Sequence, residues 1–333
     1  MSQKDASARS WLASQPPGAA VELTATRVAG VALADYGGSR VVTAHAVEPL
    51  SPGVLTPGLN AANVHDEGAL VSAIRAVLTS LGGRTRKVAL VLPDSIAKVS
   101  LVRFEKVPAK AADLEQLIRW QMRKAAPFRI EDAQLAYEAG VELPGGGREY
   151  LVTVVRRDIV QSYERACEAA GVQAGLIDLA SFNQINAVLA SGESPGDWLL
   201  VNVASDYATL AVVRGGDVVF FRNRSSAGEA ELADLVHQTA MYHEDRLGGG
   251  GFSRVVLAGL SALGADTERF RMSLEERMGA TVEPIDFRPA AELRNRITVS
   301  PDLCDILAAP IGILLRERVS RGARVRAAAS EVA

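Results

Sequence analysis

The sequence predicts a mixed α/β protein of two lobes, with a boundary near residue 195. The clearest observation is the segment Trp198–Asn223, whose pattern is strand, short loop, strand, Gly-Gly turn and strand. A related pattern opens the chain, where Val21–Leu33 and Arg40–Val47 flank the turn Gly37-Gly38. Between the two blocks, the segment Ser191–Asp197 is rich in Ser, Gly and Pro and is the best candidate for a linker.

The composition is that of a protein with a large apolar core. The 333 residues are 48% hydrophobic and the formal net charge is −3, which gives no electrostatic reason to expect a nucleic-acid partner. No apolar run approaches the ~18 residues that cross a bilayer. Residues 1–18 lack a secretory apolar core, so we expect a disordered leader there. Cys167 and Cys304 lie in apolar helical patterns, which favours reduced thiols over a disulfide or a metal pair.

The elements before the linker follow from hydrophobic periodicity and from residues that begin or end helices. They are a helix from 66 to about 81, strands at 87–92 and 97–104, a helix at 111–126, paired strands at 134–141 and 150–155, a helix from 158, a strand at 173–180 and a helix at 181–190. Asp66 is placed to cap the first helix, and Pro127 ends the second. Asp158, with Gln161 three residues later, matches a capping box and predicts that the third helix begins there.

The elements after the linker continue the alternation of strands and helices. Beyond the three strands of Trp198–Asn223 we expect a helix at 229–247, a glycine loop at 248–251, a strand at 254–257, a helix at 266–278, a strand at 281–285 and a final helix at 303–320. On the first of these helices, His237 and His243 are six residues apart. Zinc-binding helices place two His four residues apart, so we interpret both as solvated helix residues.

Three segments carry a family resemblance. They are Val102–Glu138 (VRFEKVPAKAADLEQLIRWQMRKAAPFRIEDAQLAYE), Gly171–Ala187 (GVQAGLIDLASFNQINA) and Leu307–Glu317 (LAAPIGILLRE). In order and spacing they resemble the PilM family of type IV pilus assembly, which is actin-like, over about residues 85–320. The segment Trp198–Asn223 in addition has the layout with which actin-like and sugar-kinase-like ATPases build their second phosphate-binding loop.

The resemblance implies an actin-like α/β fold, with duplicated ribonuclease H-like lobes and a small inserted α+β subdomain. The implied division is a leader at 1–18, a first lobe at 19–85 and 175–196, an inserted subdomain at 86–174, a second lobe at 197–302, a C-terminal helix returning to the first lobe at 303–320, and a basic flexible tail at 321–333.

The resemblance also implies a role and partners. PilM-like proteins are cytoplasmic scaffolds at the inner face of the inner membrane. They bind the short cytoplasmic N-terminus of a bitopic PilN-like membrane protein and link it to the secretion ATPases. The peptide is expected in a groove where the inserted subdomain meets the first lobe, with Val99, Leu101, Leu117 and Arg119 as candidate wall residues. Actin-like relatives often polymerise, and the edge strands carry no clear signal for or against self-association.

The two phosphate-binding loops depart from the family pattern. In PilM relatives the first loop is D-I-G-S-x-S-x-K, whereas this chain has Glu22-Leu23-Thr24-Ala25-Thr26-Arg27, with no glycine and a longer acid. The D-I-G of the second loop is replaced by Asn202-Val203-Ala204. The threonine expected six residues after the acid falls on Ala208, and Thr209 is one position late. Glycines let backbone N–H groups approach phosphate, and the acid offsets the charge of Mg²⁺.

The glycine pairs of the family are incomplete as well. The pair expected at the adenosine is Gly259-Leu260, and the pair after the third strand is Gly228-Glu229. A hydrogen bond to a charged phosphate contributes ~1.5–3 kcal/mol, so the loss of two or three such bonds removes about 3–9 kcal/mol of binding free energy. Each 1.4 kcal/mol lost lowers the affinity for ATP about tenfold. Thr24, Ser205 and Asp206 are the groups that could compensate. We therefore predict a degenerate site for ATP and Mg²⁺ with little or no ATPase activity, and we assign no catalytic or metal-binding residue.

The C-terminal segment is basic. It contains Arg316, Arg318, Arg321, Arg324 and Arg326. Such a segment fits a solvated tail and also a peripheral contact with anionic lipid, in which each Arg contributes ~1 kcal/mol.

Two alternatives to a scaffold remain open. One is an active actin-like ATP-binding protein or ATPase, which intact Asp and Gly residues in both loops would favour. The other is a module like GspL of type II secretion, whose cytoplasmic part resembles PilM and which normally continues into a transmembrane helix.

Overall fold

The computed structural model describes residues 17–83, 85–192, 194–225, 229–259, 267–294 and 299–330. The strands are β1 (Ala19–Leu23), β2 (Arg27–Tyr36), β3 (Ser39–Pro49), β4 (Lys87–Leu92), β5 (Ala97–Phe104), β6 (Ala133–Leu143), β7 (Gly147–Arg156), β8 (Gln173–Leu179), β9 (Trp198–Val203), β10 (Tyr207–Arg214), β11 (Asp217–Ser225), β12 (Arg254–Ala258), β13 (Val282–Pro284) and β14 (Glu292–Leu293). The helices are α1 (Glu67–Ser80), α2 (Ala111–Met122), α3 (Arg157–Ala169), α4 (Ala180–Ser191), α5 (Glu229–Leu247), α6 (Thr267–Met278) and α7 (Pro301–Ser330). Of the leader expected at 1–18, residues 1–16 lie outside the described residues.

Two sheets repeat one strand order. The larger sheet has the order β14-β3-β2-β1-β4-β8, and the smaller has the order β11-β10-β9-β12-β13. In the larger sheet β1 is antiparallel to β2 and parallel to β4. In the smaller sheet β9 is antiparallel to β10 and parallel to β12. The duplicated α/β architecture predicted from the sequence is confirmed. We call the larger sheet with α1 and α3 the first lobe, and the smaller sheet with α5 and α6 the second lobe.

Helices α4 and α7 lie between the two sheets. Helices α1 and α3 cover one face of the larger sheet, and α7 covers the other through Leu307, Ile311 and Leu314. Helices α5 and α6 cover the outer face of the smaller sheet, while Ile185 and Val188 of α4 pack on its inner face. The two lobes therefore share a helical layer, so that their relative position depends on how α4 packs against α7.

The inserted subdomain is smaller than expected. The antiparallel sheet β5-β7-β6 and helix α2, which packs on one face of it, span 97–156. Strand β4 is instead paired with β1 and β8 in the larger sheet. Its residues are apolar on both faces, as is typical of a central parallel strand. The expected bounds of 86 and 174 are therefore too wide.

Several element boundaries also differ. The single strand expected at Val21–Leu33 is two strands, because the chain turns at Thr24–Thr26. Asp66 caps α1 as predicted, since its Oδ1 accepts the Ala69 N–H at 2.9 Å. The capping box at Asp158 is wrong, because α3 begins at Arg157 and the Asp158 carboxylate accepts from Arg156. Helix α7 continues to Ser330, so the backbone of 321–330 is helical rather than a flexible tail.

His243 is not a solvated helix residue. Its side chain is 1% exposed, and its Nε2 lies 2.5 Å from Oδ2 of Asp197. Asp197 also accepts from Nε and Nη2 of Arg214, at 2.9 Å and 2.6 Å. Phe252 stacks on the imidazole with ring centroids 4.4 Å apart. The end of the predicted linker is therefore part of a partly buried polar cluster in the second lobe.

Candidate functional site

The two predicted phosphate-binding loops occupy equivalent places in the two sheets. The β1–β2 turn is closed by the Thr24 N–H, which donates to the Arg27 carbonyl at 2.9 Å. The β9–β10 turn is closed in the same way, by the Ala204 N–H and the Tyr207 carbonyl at 2.8 Å. Duplication of the strand order therefore places two four-residue turns at the same point of each lobe.

The residues of the first loop interact within the loop. Thr24 Oγ1 donates to the Arg27 carbonyl and accepts from the Arg27 N–H, both at 3.1 Å, and also accepts from Thr26 N–H at 3.3 Å. These bonds form a local turn stabilised by a threonine side chain. The Thr24 hydroxyl is therefore engaged by its own loop instead of replacing a missing phosphate contact.

Glu22 is buried at the base of this turn. It is 4% exposed, and its Oε2 lies 3.6 Å from Nη2 of Arg27 and has no hydrogen-bond partner among the described residues. Burial raises the pKa of Glu22 to about 7; Arg27 opposes this shift, and Asp305 and Asp94 add to it. The position that carries an acid in the family thus holds a carboxyl group that titrates near neutral pH.

Asp94 lies at the centre of the site, and no pattern in the sequence predicted it. It follows β4 and is fully buried. Its Oδ1 accepts the Ser181 N–H at 3.1 Å, and its Oδ2 accepts Oγ of Ser181, Oγ1 of Thr209 at 2.8 Å and Nδ2 of Asn202 at 3.5 Å. Burial raises the pKa of Asp94, and the hydrogen bonds from Ser181, Thr209 and Asn202 oppose that shift. We call these four residues the Asp94 cluster.

Asn202 and Thr209 have defined roles in this cluster. Asn202 Nδ2 also donates to Ser181 Oγ at 3.0 Å, and its Oδ1 accepts from Gln184 at 3.1 Å. Thr209 Oγ1 accepts from Nδ2 of Asn223 at 2.8 Å. Asn202 and Thr209 are register partners on β9 and β10. Thr209, which is one position later than the threonine of the family pattern, is thus the residue whose hydroxyl contacts Asp94.

The remaining second-loop residues are less constrained. Ser205 is exposed and Ala204 is half-buried. Asp206 is half-buried and its Oδ2 accepts from Ser95 Oγ at 3.4 Å, which links the second lobe to the turn after β4. Burial raises the pKa of Asp206, while hydrogen bonds from its own backbone, Ser95 and Ser205 oppose the rise.

Gly259 is required by packing. Its φ is +84°, and a Cβ built there would overlap the Val203 carbonyl at the end of β9. Its N–H donates to Oδ1 of Asp305 on α7 at 2.7 Å. Asp305, which is 4% exposed, is a second buried acid that sequence reasoning missed. Gly228 lies outside the described residues.

This arrangement does not fit a bound Mg²⁺–nucleotide. The buried donors of Ser181, Thr209 and Asn202 are already used by a carboxylate of the chain. Two further acids, Glu22 and Asp305, are buried nearby, and in their ionised form they would repel a phosphate that arrives without a cation. Within the described ranges, no group of three or more His, Cys, Asp or Glu residues has the arrangement of a metal site.

A cavity opens elsewhere, at the junction of the inserted subdomain and the first lobe. It has a volume of about 660 Å³. Its apolar lining is Pro127 and half-buried Phe128, after α2. The other lining residues are polar or charged: Asn60, Glu131, Asp132, Arg156, Arg157, Asp158 and Gln161. Arg156 joins the two sides, because it donates to the Asn60 carbonyl and pairs with Asp158.

Comparison with known proteins identifies the family. A family model described as type IV pilus assembly protein PilM matches residues 20–246. The chain belongs to the PilM family. A solved PilM–PilN type IV pilus biogenesis complex superposes with a TM-score of 0.78 at 19% identity, covering 91% of this chain and 98% of that chain. A Bacteroides thetaiotaomicron protein with an actin-like ATPase fold and unknown function gives a TM-score of 0.50 at 9% identity, covering 85% and 95%. These likenesses show the actin-like fold.

The groove residues expected from the PilM resemblance do not meet at one place. Val99 and Leu101 lie on one face of β5, and Val99 belongs to the core of the first lobe. Leu117 lies on α2, which packs on the opposite face of this sheet through Val102. Arg119, also on α2, pairs with Glu115 at 2.9 Å. None of the four predicted residues lines the cavity.

No helix in the described part of this PilM-family chain has the length and apolar composition to span a bilayer.

Proposed function

We propose that this PilM-family protein is a scaffold of an inner-membrane type IV pilus assembly complex that works without ATP. It binds the short cytoplasmic N-terminus of a PilN-like membrane protein and links it to the pilus secretion ATPases. The observation that carries this proposal is the Asp94 cluster, because the donors that would hold a phosphate are engaged by the chain itself.

The PilN-like peptide is proposed to bind in the cavity near Phe128. A volume of about 660 Å³ is within the range of ligand sites. The apolar surface of Pro127 and Phe128 beside charged residues offers both an anchor and orienting contacts. Location at the junction of the inserted subdomain and the first lobe also matches the place implied by the family resemblance.

Calorimetric titration with the N-terminal peptide of the neighbouring bitopic protein tests this proposal, with and without Mg²⁺ and ATP. We expect a dissociation constant on the order of micromolar that does not change with nucleotide. Binding that requires ATP would instead favour the active ATPase. An absence of binding in both conditions would overturn the partner assignment.

A matched pair of variants tests the cavity. Gln161→Arg places a long charged side chain at the exposed rim of the cavity, and we expect it to weaken peptide binding by about tenfold or more. Gln116→Arg makes the same change on the exposed face of α2, away from the cavity, and should leave binding unchanged. If the two variants weaken binding equally, the peptide binds somewhere other than the cavity.

A membrane contact through α7 is a separate proposal. The helix continues from Arg316 to Ser330, and this segment contains five Arg and one Glu in the sequence. Each Arg near an anionic surface contributes ~1 kcal/mol, which would hold the protein at the inner face of the inner membrane. Vesicles of phosphatidylglycerol should co-sediment the full chain, and replacement of the four Arg beyond Arg316 by Gln should abolish this. Binding that survives the replacement would refute the contact.

A further inference from the structure

Four donors from both halves of the chain converge on one buried carboxylate. Ser181 supplies its N–H and its hydroxyl from the first turn of α4, Thr209 supplies a hydroxyl from β10, and Asn202 supplies an amide N–H from β9. Asp94, Ser181 and Thr209 are 0% exposed and Asn202 is 3% exposed. No basic side chain donates to Asp94 in the described structure.

This donor set is that of an anion site. The first turn of a helix has free N–H groups and the positive end of the helix dipole, which together favour an anion. Hydroxyl and amide donors around it complete the coordination of two oxygens, and hydrogen bonds to an ionised group are the stronger ones. In this chain the carboxyl group of Asp94, which enters from the turn after β4, takes the place of the anion and accepts all four donors.

The donors also belong to different lobes. Asp94 follows a strand of the larger sheet, whereas Asn202 and Thr209 lie on strands of the smaller sheet. Ser181 belongs to the helix between the two sheets. A single carboxylate therefore bridges the lobes, and removing it would leave buried donors without acceptors on both sides.

We propose that this is an anion site shared by the two lobes, of a size for one carboxylate or similar small oxyanion, which the chain fills with its own Asp94. The side chain acts as a built-in ligand that joins the lobes where an external anion would otherwise be needed. The inference concerns what holds the lobes together, so it stands whether or not a PilN-like peptide binds at the cavity near Phe128.

Chemical rescue tests the proposal. Asp94→Ala removes the carboxylate and leaves space and donors for formate. In chloride, we expect the thermal unfolding midpoint of this variant to fall by about 5 °C or more relative to the unmodified chain. Formate at the same ionic strength should recover a substantial part of that loss, and it should shift the unmodified chain no more than chloride does. An Asp94→Ala midpoint unaffected by the substitution, or equal formate shifts in both proteins, would overturn the proposal.

Asp206→Ala is the matched control. Asp206 is also a partly buried acid with a raised pKa, but its only side-chain donor from outside the loop among the described residues is Ser95 at 3.4 Å. Formate should therefore not rescue this variant. Rescue of both variants to the same extent would show a general salt effect and contradict the anion site.

A second variant covers the case in which Asp94→Ala does not fold. Thr209→Val keeps the shape of the side chain and removes one donor of the second lobe. Amide hydrogen exchange should then become faster both in the first turn of α4 and in the β9–β10 segment, because the two lobes share the carboxylate. Faster exchange on one side alone, or on neither, would refute a shared site.

Discussion

Gly312 of α7 lies directly against the backbone of Asn183 of α4, so close that a Cβ at 312 would overlap the Asn183 carbonyl. This contact sets the spacing of the helical layer that both lobes share. In most helix interiors, replacing Gly by Ala stabilises a protein, because glycine is the more flexible residue in the unfolded chain. Here the steric overlap opposes that gain.

Gly312→Ala should therefore destabilise the protein, by about 1–3 kcal/mol, as overpacked cores do. Gly68→Ala in α1 is the control, since a Cβ there would meet only Oδ1 of Asp66 at an ordinary 3.5 Å. Its expected effect is small and of the opposite sign. Denaturant unfolding of the two variants measures both effects, and a stabilised Gly312→Ala protein would show that α4 and α7 can separate freely.

Glu22 makes stability depend on pH near neutrality. Because its pKa is raised to about 7 in the folded protein from an ordinary value of 4.5, the folded state binds the proton more tightly. Its contribution is fully present below pH 4.5 and is lost as the pH rises through 7, by an amount of about 3 kcal/mol. Glu22→Gln should remove this dependence and raise the free energy of unfolding at pH 8. Parallel pH profiles for the two proteins would contradict the buried carboxyl.

Asp197 affects the pH dependence of stability in the opposite direction from Glu22. Hydrogen bonds from Arg214 and His243 hold its pKa below the ordinary value, although partial burial opposes them. Its contribution is present above the unfolded pKa of ~3.9 and is lost as the pH falls through the folded value. Asp197→Asn should destabilise the second lobe at pH 7 and flatten the acid limb of the unfolding profile. If Asp197→Asn loses as much stability at low pH as the unmodified chain does, that loss of stability comes from other carboxyl groups.

Restoring the acid of the family should harm this chain. Asn202→Asp would bring a second carboxylate to Asp94, since Asn202 Nδ2 now donates to Asp94 Oδ2 at 3.5 Å. Two buried like charges are expected to cost about 2–4 kcal/mol at pH 7. The cost should shrink as the pH falls, because protonation of one of the pair removes the repulsion and burial already raises the pKa of Asp94. A fully stable variant that binds Mg²⁺–ATP would show that the site can still accept nucleotide.

Local signals in the sequence located much of the fold. Asp66 and the turn at Gly37-Gly38 mark ends that the structure reproduces closely, because capping and tight turns depend on neighbours in the chain. Pro127 marks the end of α2 less well, because the helix already ends at Met122 and not at the expected residue 126. Strand β4 was predicted correctly as an element but assigned to the wrong unit. An apolar strand of six residues does not carry the identity of its pairing partner, which is decided by the packing of distant segments.

Only some of the site residues could be predicted from the sequence, for the same reason. Glu22 and Asn202 were found because they occupy loop positions with a known pattern. Asp94, Ser181 and Asp305 follow no motif and come from three elements far apart in the sequence. They meet only when α4 and α7 pack between the lobes, so no window of sequence contains their arrangement. The contact between Asp197 and His243 was missed similarly, since 46 positions separate the two residues.

Helix α7 also makes the first lobe depend on a segment more than 200 residues further along the sequence than β4. One face of the larger sheet, with Val31 and Val91, is covered by Leu307, Ile311 and Leu314, and the edge strand β14 pairs with β3. During synthesis this face stays open until residues 301–315 have left the ribosome, while the second lobe can already assemble its outer core. Nascent chains are therefore exposed to aggregation through their N-terminal half, and a truncation before residue 301 would damage the part of the molecule made first.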